Sequence, residues 1–206
     1  IRYNGCELRN AADNVRSGII SYLGHDPELF NDSVRNNVLL GDDYDVFEYL
    51  RVVCMDKEVE AMEQGADTII GSEGIRLSGG QAQRIALART LCHKKLVLVL
   101  DDPFSALDRN TEEQIYKKLK DMASDNIVIL ISHRLYMFPK MDKVIWMDAG
   151  MVNVGTHKEL MLECPGYRKM YETVSVEECR AVETENEGLA AAKVVENSRR
   201  VVDKHE

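Results

Sequence analysis

The sequence predicts an α/β domain built on a mostly parallel sheet with helices on both faces. Leu96 to Leu100 and Ile127 to Ile131 are continuous apolar runs, the pattern of parallel strands buried on two sides. Helical stretches alternate with such runs, which is the order of a doubly covered sheet. Gly18 to Leu23 reads as a further strand of that sheet. Val144 to Met147 and Met151 to Val154, joined by Asp148-Ala149-Gly150, read as a hairpin near a sheet edge.

The helices follow from spacing. Asp45 to Glu63 is helical in character and heavily charged, fit for a helical subdomain spanning about residues 36–92. Gly80 to Leu91 places Ile85, Ala88 and Leu91 on one stripe, with Arg84 and Arg89 outside it. Thr111 to Met122 does the same with Ile115, Leu119 and Met122. A domain over residues 1–172 is expected, followed by a charged helical or disordered tail over 173–206.

Bulk properties exclude several classes. The 206 residues suffice for one α/β domain, and 45% hydrophobic with 30% charged residues is ordinary globular composition. A net charge of −9 argues against a nucleic-acid binder working through a basic face. No stretch approaches the roughly 20 apolar residues that span a bilayer. The chain opens on Ile1 without an initiator Met, which reads as part of a longer protein. Five cysteines without CxxC spacing point to a reducing, cytosolic setting rather than to a disulfide framework or zinc site.

The strongest chemical signal is Leu77-Ser78-Gly79-Gly80-Gln81, continuing into Ala82-Gln83-Arg84-Ile85-Ala86-Leu87-Ala88-Arg89. A serine and two glycines opening a helix form an anion site. The glycines permit close backbone approach, and the outward amides and helix dipole favour a phosphate. A Ser-capped helix after a glycine turn is the plain alternative.

This run resembles the signature motif of ATP-binding-cassette (ABC) transporter ATPase domains of the exporter type, which have a P-loop NTPase-like fold. The neighbouring motifs follow in that family's order. Leu96-Val97-Leu98-Val99-Leu100-Asp101-Asp102 resembles Walker B, which makes Asp101 the expected Mg²⁺-associated carboxylate and Asp102 the catalytic one. Ser105-Ala106-Leu107-Asp108 resembles the D-loop. Ser132-His133 resembles the switch region, with His133 contacting the γ-phosphate. Asp67 to Gly74 resembles the X-loop, and Asp26 to Val38 resembles the stretch after the Q-loop; in the family both face the membrane domains.

Three departures from the pattern matter. No GxxxxGK[ST] loop is present in the sequence, so this chain alone is expected to be inactive. His25 stands at the Q-loop glutamine position, where imidazole nitrogen suits magnesium less well than an amide oxygen. Asp102 stands where the family has glutamate, retracting the carboxylate by roughly 1.5 Å. A displacement of about 1 Å costs on the order of 10²-fold in a positioned reaction.

The resemblance therefore implies ATP and Mg²⁺ as cofactors, and a subunit powering export by nucleotide-driven dimerisation. It gives a second ABC ATPase subunit, in a homo- or heterodimer, and transmembrane domains as partners, and the cytoplasmic face of the cell membrane as the location. Ser78, Gly79, Gly80 and Gln81 would serve the partner's ATP while the chain's own site is degenerate, an arrangement similar to heterodimeric exporters. A non-catalytic interaction subunit and an inactive fragment are the alternatives. Chromosome-maintenance and translation ATPases fit less well, since heptad runs and basic patches are lacking.

Overall fold

In the computed structural model, residues 2–3, 6–10, 12–71 and 74–173 are described. The tail expected from Glu177 onward, with Cys179 and His205, lies outside them, as do Ser72 and Glu73 of the X-loop-like stretch. The chain forms two compact units, Ile1–Ser132 and His133–Glu206.

In the first unit a short antiparallel pair, β1 (Arg2–Tyr3) and β2 (Cys6–Glu7), precedes helix α1 (Asp13–Ile19) and strand β3 (Ile20–Leu23). The strand expected from Gly18 thus starts at Ile20. Gly18 and Ile19 complete the helix instead, and the Ile20 N–H still bonds the Arg16 carbonyl. Next come β4 (Asp32–Ser33), α2 (Val34–Leu39), α3 (Val46–Val52), α4 (Asp56–Glu60) and β5 (Ile69–Ile70). The single helical stretch read over Asp45 to Glu63 is therefore two short helices. Cys54, at φ 55, breaks the path between them.

Helix α5 (Gly79–Cys92) leads into β6 (Val97–Asp101), α6 (Arg109–Met122) and β7 (Ile127–Ile131). The parallel sheet has the order β3-β6-β7, pairing Leu23 with Leu100 and Asp101 with Ile131. Leu98 and Leu100 of β6 are wholly buried, together with Ile85, Leu87 and Leu91 of α5 and Phe104. This packing fixes the carboxyl end of β6 against the signature helix.

Strand β7 departs from expectation. Ile127, Val128, Ile129 and Ile131 are 56, 39, 37 and 50% exposed, not buried on both faces. The strand pairs with β6 on one side, and among the described residues no strand pairs with its other edge.

The second unit holds the expected hairpin. Strands β8 (Val144–Asp148) and β9 (Met151–Gly155) pair antiparallel through Ala149 and Gly150, both at positive φ, as a tight two-residue turn requires. Helix α7 (His157–Glu163) and a helical stretch over residues 165–173 follow. Tyr167 is wholly buried in this unit's core with Val144 and Leu160, flanked by Phe138 and Trp146. His157 belongs to this packing: its Nδ1 lies 2.7 Å from the Tyr167 hydroxyl.

Candidate functional site

Two groups of predicted residues come together in the first unit, one at the start of α5 and one at the end of β6. At the helix start, Ser78 and Gln81 cap the first turn reciprocally. The Gln81 N–H donates to Ser78 Oγ at 3.2 Å, and the Ser78 N–H donates to Gln81 Oε1 at 2.8 Å. Such a capping box satisfies two otherwise orphaned donors and leaves the remaining first-turn amides facing outward.

The two glycines of this turn have different neighbours. A Cβ on Gly80 would lie 2.8 Å from the Ala106 carbonyl oxygen, so Gly80 is where the signature helix packs on the segment after β6. A Cβ on Gly79 would meet nothing closer than the Ala106 side chain at 3.9 Å. Internal packing therefore does not demand a glycine at position 79, whereas close approach by a ligand would.

A cleft of about 490 Å³ opens here, lined by Ser78, Gly79, Gly80, Glu58, Arg84 and Asp108 among others. Asp108 caps α6, accepting from the Thr111 N–H at 3.0 Å and the Thr111 hydroxyl at 2.7 Å. The hydrogen bond from the Thr111 side chain, followed by that from its backbone, holds the Asp108 carboxyl below its ordinary pKa. Ser105 is exposed in the same connection.

At the sheet end, Asp101 closes β6 and accepts from the Tyr22 hydroxyl of the neighbouring strand at 3.3 Å. The Tyr22 pKa is raised, first by desolvation and then by the Asp101 charge and hydrogen bond. Asp102 is buried in left-handed backbone at φ 47, a conformation aspartate tolerates better than most residues. Its N–H donates to the Ile131 carbonyl at 2.8 Å, and its own carbonyl accepts from Gln83 Nε2 at 3.4 Å. Gln83 thereby ties the signature helix to this end of the sheet.

His25 Nδ1 lies 3.8 Å from Asp102 Oδ2, so the two residues expected to depart from the family pattern are neighbours. Their proximity was not legible in the sequence, where 77 positions separate them. His133, an exposed residue, opens the second unit.

Sequence reasoning missed two supporting groups. Glu58 of α4 accepts from Gln81 Nε2 at 2.8 Å and from Arg84 at 2.7 Å. Arg89 donates to the carbonyls of Asn37 and Glu28 at 2.7 and 3.0 Å and lies over the Phe30 ring at 4.8 Å. With Asn37, whose side chain bonds the Phe30, Asp32 and Ser33 carbonyls, it pins the loop after His25. The one available signal was that Arg84 and Arg89 fall off the apolar stripe of α5.

Among the described residues no three His, Cys, Asp or Glu side chains gather as a metal cage. Asp101, which closes β6, is a carboxylate of the kind a magnesium ion takes, an ion that uses one or two carboxylates and draws its other ligands from phosphate and water.

The sequence model of the ABC transporter family matches residues 1–105. The chain is 33% identical over 172 residues to ABC transporter B family member 1 of Dictyostelium discoideum, covering 81% of this chain and 19% of that protein. It is 35% identical over 175 residues to an ATP-dependent lipid A-core flippase of Alcanivorax borkumensis, covering 82% and 29%. Among solved structures, a bacterial Atm1-family ABC exporter with ATP bound superposes with a TM-score of 0.76 at 29% identity, covering 84% of this chain and 31% of that one. The chain thus spans about a fifth to a third of the length of the curated relatives named here. With its α/β fold and a family match over half of its length, this chain belongs to the ABC transporter family.

Proposed function

We propose that this chain is the ATP-binding and ATP-hydrolysing part of an exporter, and that its signature turn completes a nucleotide site on a second ABC ATPase subunit. The observation that carries the reading is Gly79. It lies in the first turn of a capped helix at the rim of a cleft, and no internal contact requires a glycine there. The turn's amides and the helix dipole suit the terminal phosphate of ATP. Asp101 would hold Mg²⁺, which would supply positive charge to offset that of the nucleotide phosphates.

The site around the chain's own Walker B is read as the weaker one. Asp102 carries its carboxylate one methylene short, and the side chain beside it is His25. His133 would contact the γ-phosphate, and Ser105 and Asp108 would lie at the junction between subunits. The transmembrane domains of the same exporter are the other partner, which places the chain at the cytoplasmic face of the membrane. Among the described residues no helix is long and apolar enough to cross a membrane.

The test uses the full-length subunit assembled with its partner. Changing Asp102→Asn should leave most of the ATPase activity. Loss of most of that activity would show that Asp102 is the working base and overturn the asymmetric reading. A non-catalytic interaction subunit that only donates its signature turn predicts something else: no ATPase activity of its own and no turnover at its own site in the mixture.

A further inference from the structure

The signature turn is held by a side chain outside the motif. Gln81 is engaged at both ends of its amide. Its oxygen accepts from the Ser78 N–H at 2.8 Å, and its nitrogen donates to Glu58 Oε2 at 2.8 Å. The two partners together determine which way the amide points, because only the nitrogen can donate.

The second oxygen of Glu58 accepts from Arg84 at 2.7 Å. Arg84 in turn donates to the Cys54 carbonyl at 2.8 Å and to the Gly80 carbonyl at 3.2 Å. Both arms of the carboxylate therefore end on the first turn of α5, one through Gln81 and one through Arg84. The Arg84 side chain is only 12% exposed, so the pair is shielded on that side, while Glu58 faces the cleft at 41%.

A lone carboxylate beside an anion site would repel phosphate. Here Arg84 compensates that charge, and hydrogen bonds from Gln81 and Arg84 outweigh the effect of burial and keep the Glu58 pKa below its ordinary value.

We propose that Glu58 is a positioning residue for nucleotide turnover: a carboxylate from α4 that clamps Gln81 and Arg84 and so fixes the signature turn in the geometry that receives phosphate. The proposal rests on the reading of that turn as a phosphate site. It commits α4, which carries no recognised motif, to the function of α5.

The clamp makes a sharp demand on chemistry at position 58. Glutamine has the same shape but only one acceptor oxygen. If that oxygen keeps Arg84, an NH2 group faces the NH2 group of Gln81. Gln81 relieves the clash only by flipping, which removes the acceptor from the Ser78 N–H. Aspartate keeps both acceptors on a shorter arm.

The experiment measures kcat and KM for ATP in the full-length subunit assembled with its partner, for Glu58→Gln, Glu58→Asp and Gly79→Ala, with thermal unfolding of each. Glu58→Gln should lose about tenfold in kcat, the scale of a hydrogen bond to a charged group. Its KM should stay within about twofold and its unfolding temperature should fall by only a few degrees, because nucleotide is bound elsewhere and the shape is kept. Glu58→Asp should recover part of the loss. Wild-type kcat in Glu58→Gln, with Gly79→Ala crippled, overturns the clamp and leaves the phosphate reading intact. Wild-type kcat in Gly79→Ala overturns the phosphate reading itself. A fall in unfolding temperature that accounts for the whole loss in Glu58→Gln would make the residue merely structural and also overturn the clamp.

Discussion

The contrast between the two signature glycines gives the most searching test. In Gly80→Ala the new methyl would sit 2.8 Å from the Ala106 oxygen, about 0.6 Å inside the 3.4 Å at which ordinary contact begins. The obstacle is backbone, so the segment between β6 and α6 must move. Overpacking of this kind costs about 1–3 kcal/mol. Alanine's better helix propensity returns up to about 1 kcal/mol, leaving a net loss of roughly 0–3 kcal/mol. In Gly79→Ala the nearest atom is 3.9 Å away, so no clash offsets the propensity gain, and stability should hold or rise by up to about 1 kcal/mol. Activity should run the other way. A methyl at position 79 holds the phosphate off the turn by about 1 Å, which costs on the order of 10²-fold. Urea unfolding of this chain measures the first quantity, and ATPase activity of the assembled full-length subunit measures the second. A Gly79→Ala variant that is destabilised, or that hydrolyses ATP normally, would refute the assignment of that glycine to ligand approach.

Asp102→Glu should raise hydrolysis at the chain's own site by about tenfold or more, read as single-site turnover. The gain is tempered by about 1 kcal/mol of backbone strain, since glutamate tolerates φ 47 less well. Asn37→Ala should cost about 2–4 kcal/mol in chemical unfolding, because the residue is wholly buried and its amide satisfies four backbone groups of the 30–33 loop. The second unit should lose stability on acidification. Burial lowers the His157 pKa, so as pH falls through 6.5 the unfolded chain takes up a proton before the folded one. His157→Gln should flatten that slope in thermal melts between about pH 7.5 and 5.5. At the alkaline end the Tyr167 pKa is pushed up to about 12 by burial and by Tyr171. Stability should therefore fall above about pH 10, as the unfolded tyrosine ionises first, and Tyr167→Phe should remove that loss.

What the sequence revealed was what local chemistry dictates. Ser78 caps a helix that opens on two glycines, and Asp148-Ala149-Gly150 joins two strands with residues suited to a tight turn, so both could be read in one dimension. The apolar run of β6 likewise located Asp101 and Asp102 at a strand end. What stayed hidden depends on chain-distant partners. Glu58 gains its meaning only when α4 packs beside α5, 23 and 26 positions away from Gln81 and Arg84. Arg89 looked like a residue off the apolar face, and its partners, Asn37 on α2 and Glu28 before β4, lie 52 and 61 positions away. The apolar run of β7 misled for a related reason. Composition records that a strand is fit to be covered, whereas the covering itself depends on which neighbours are there.

That strand has a practical consequence for anyone handling the chain as an isolated polypeptide. Ile127-Val128-Ile129-Leu130-Ile131 holds no charge, proline or glycine, and, with no strand among the described residues paired to its outer edge, that row of amides and carbonyls is a template for another copy. Purified alone, the polypeptide should self-associate with rising concentration, visible as growing light scattering. A lysine at position 129, where the side chain already meets solvent, should suppress it without disturbing the sheet.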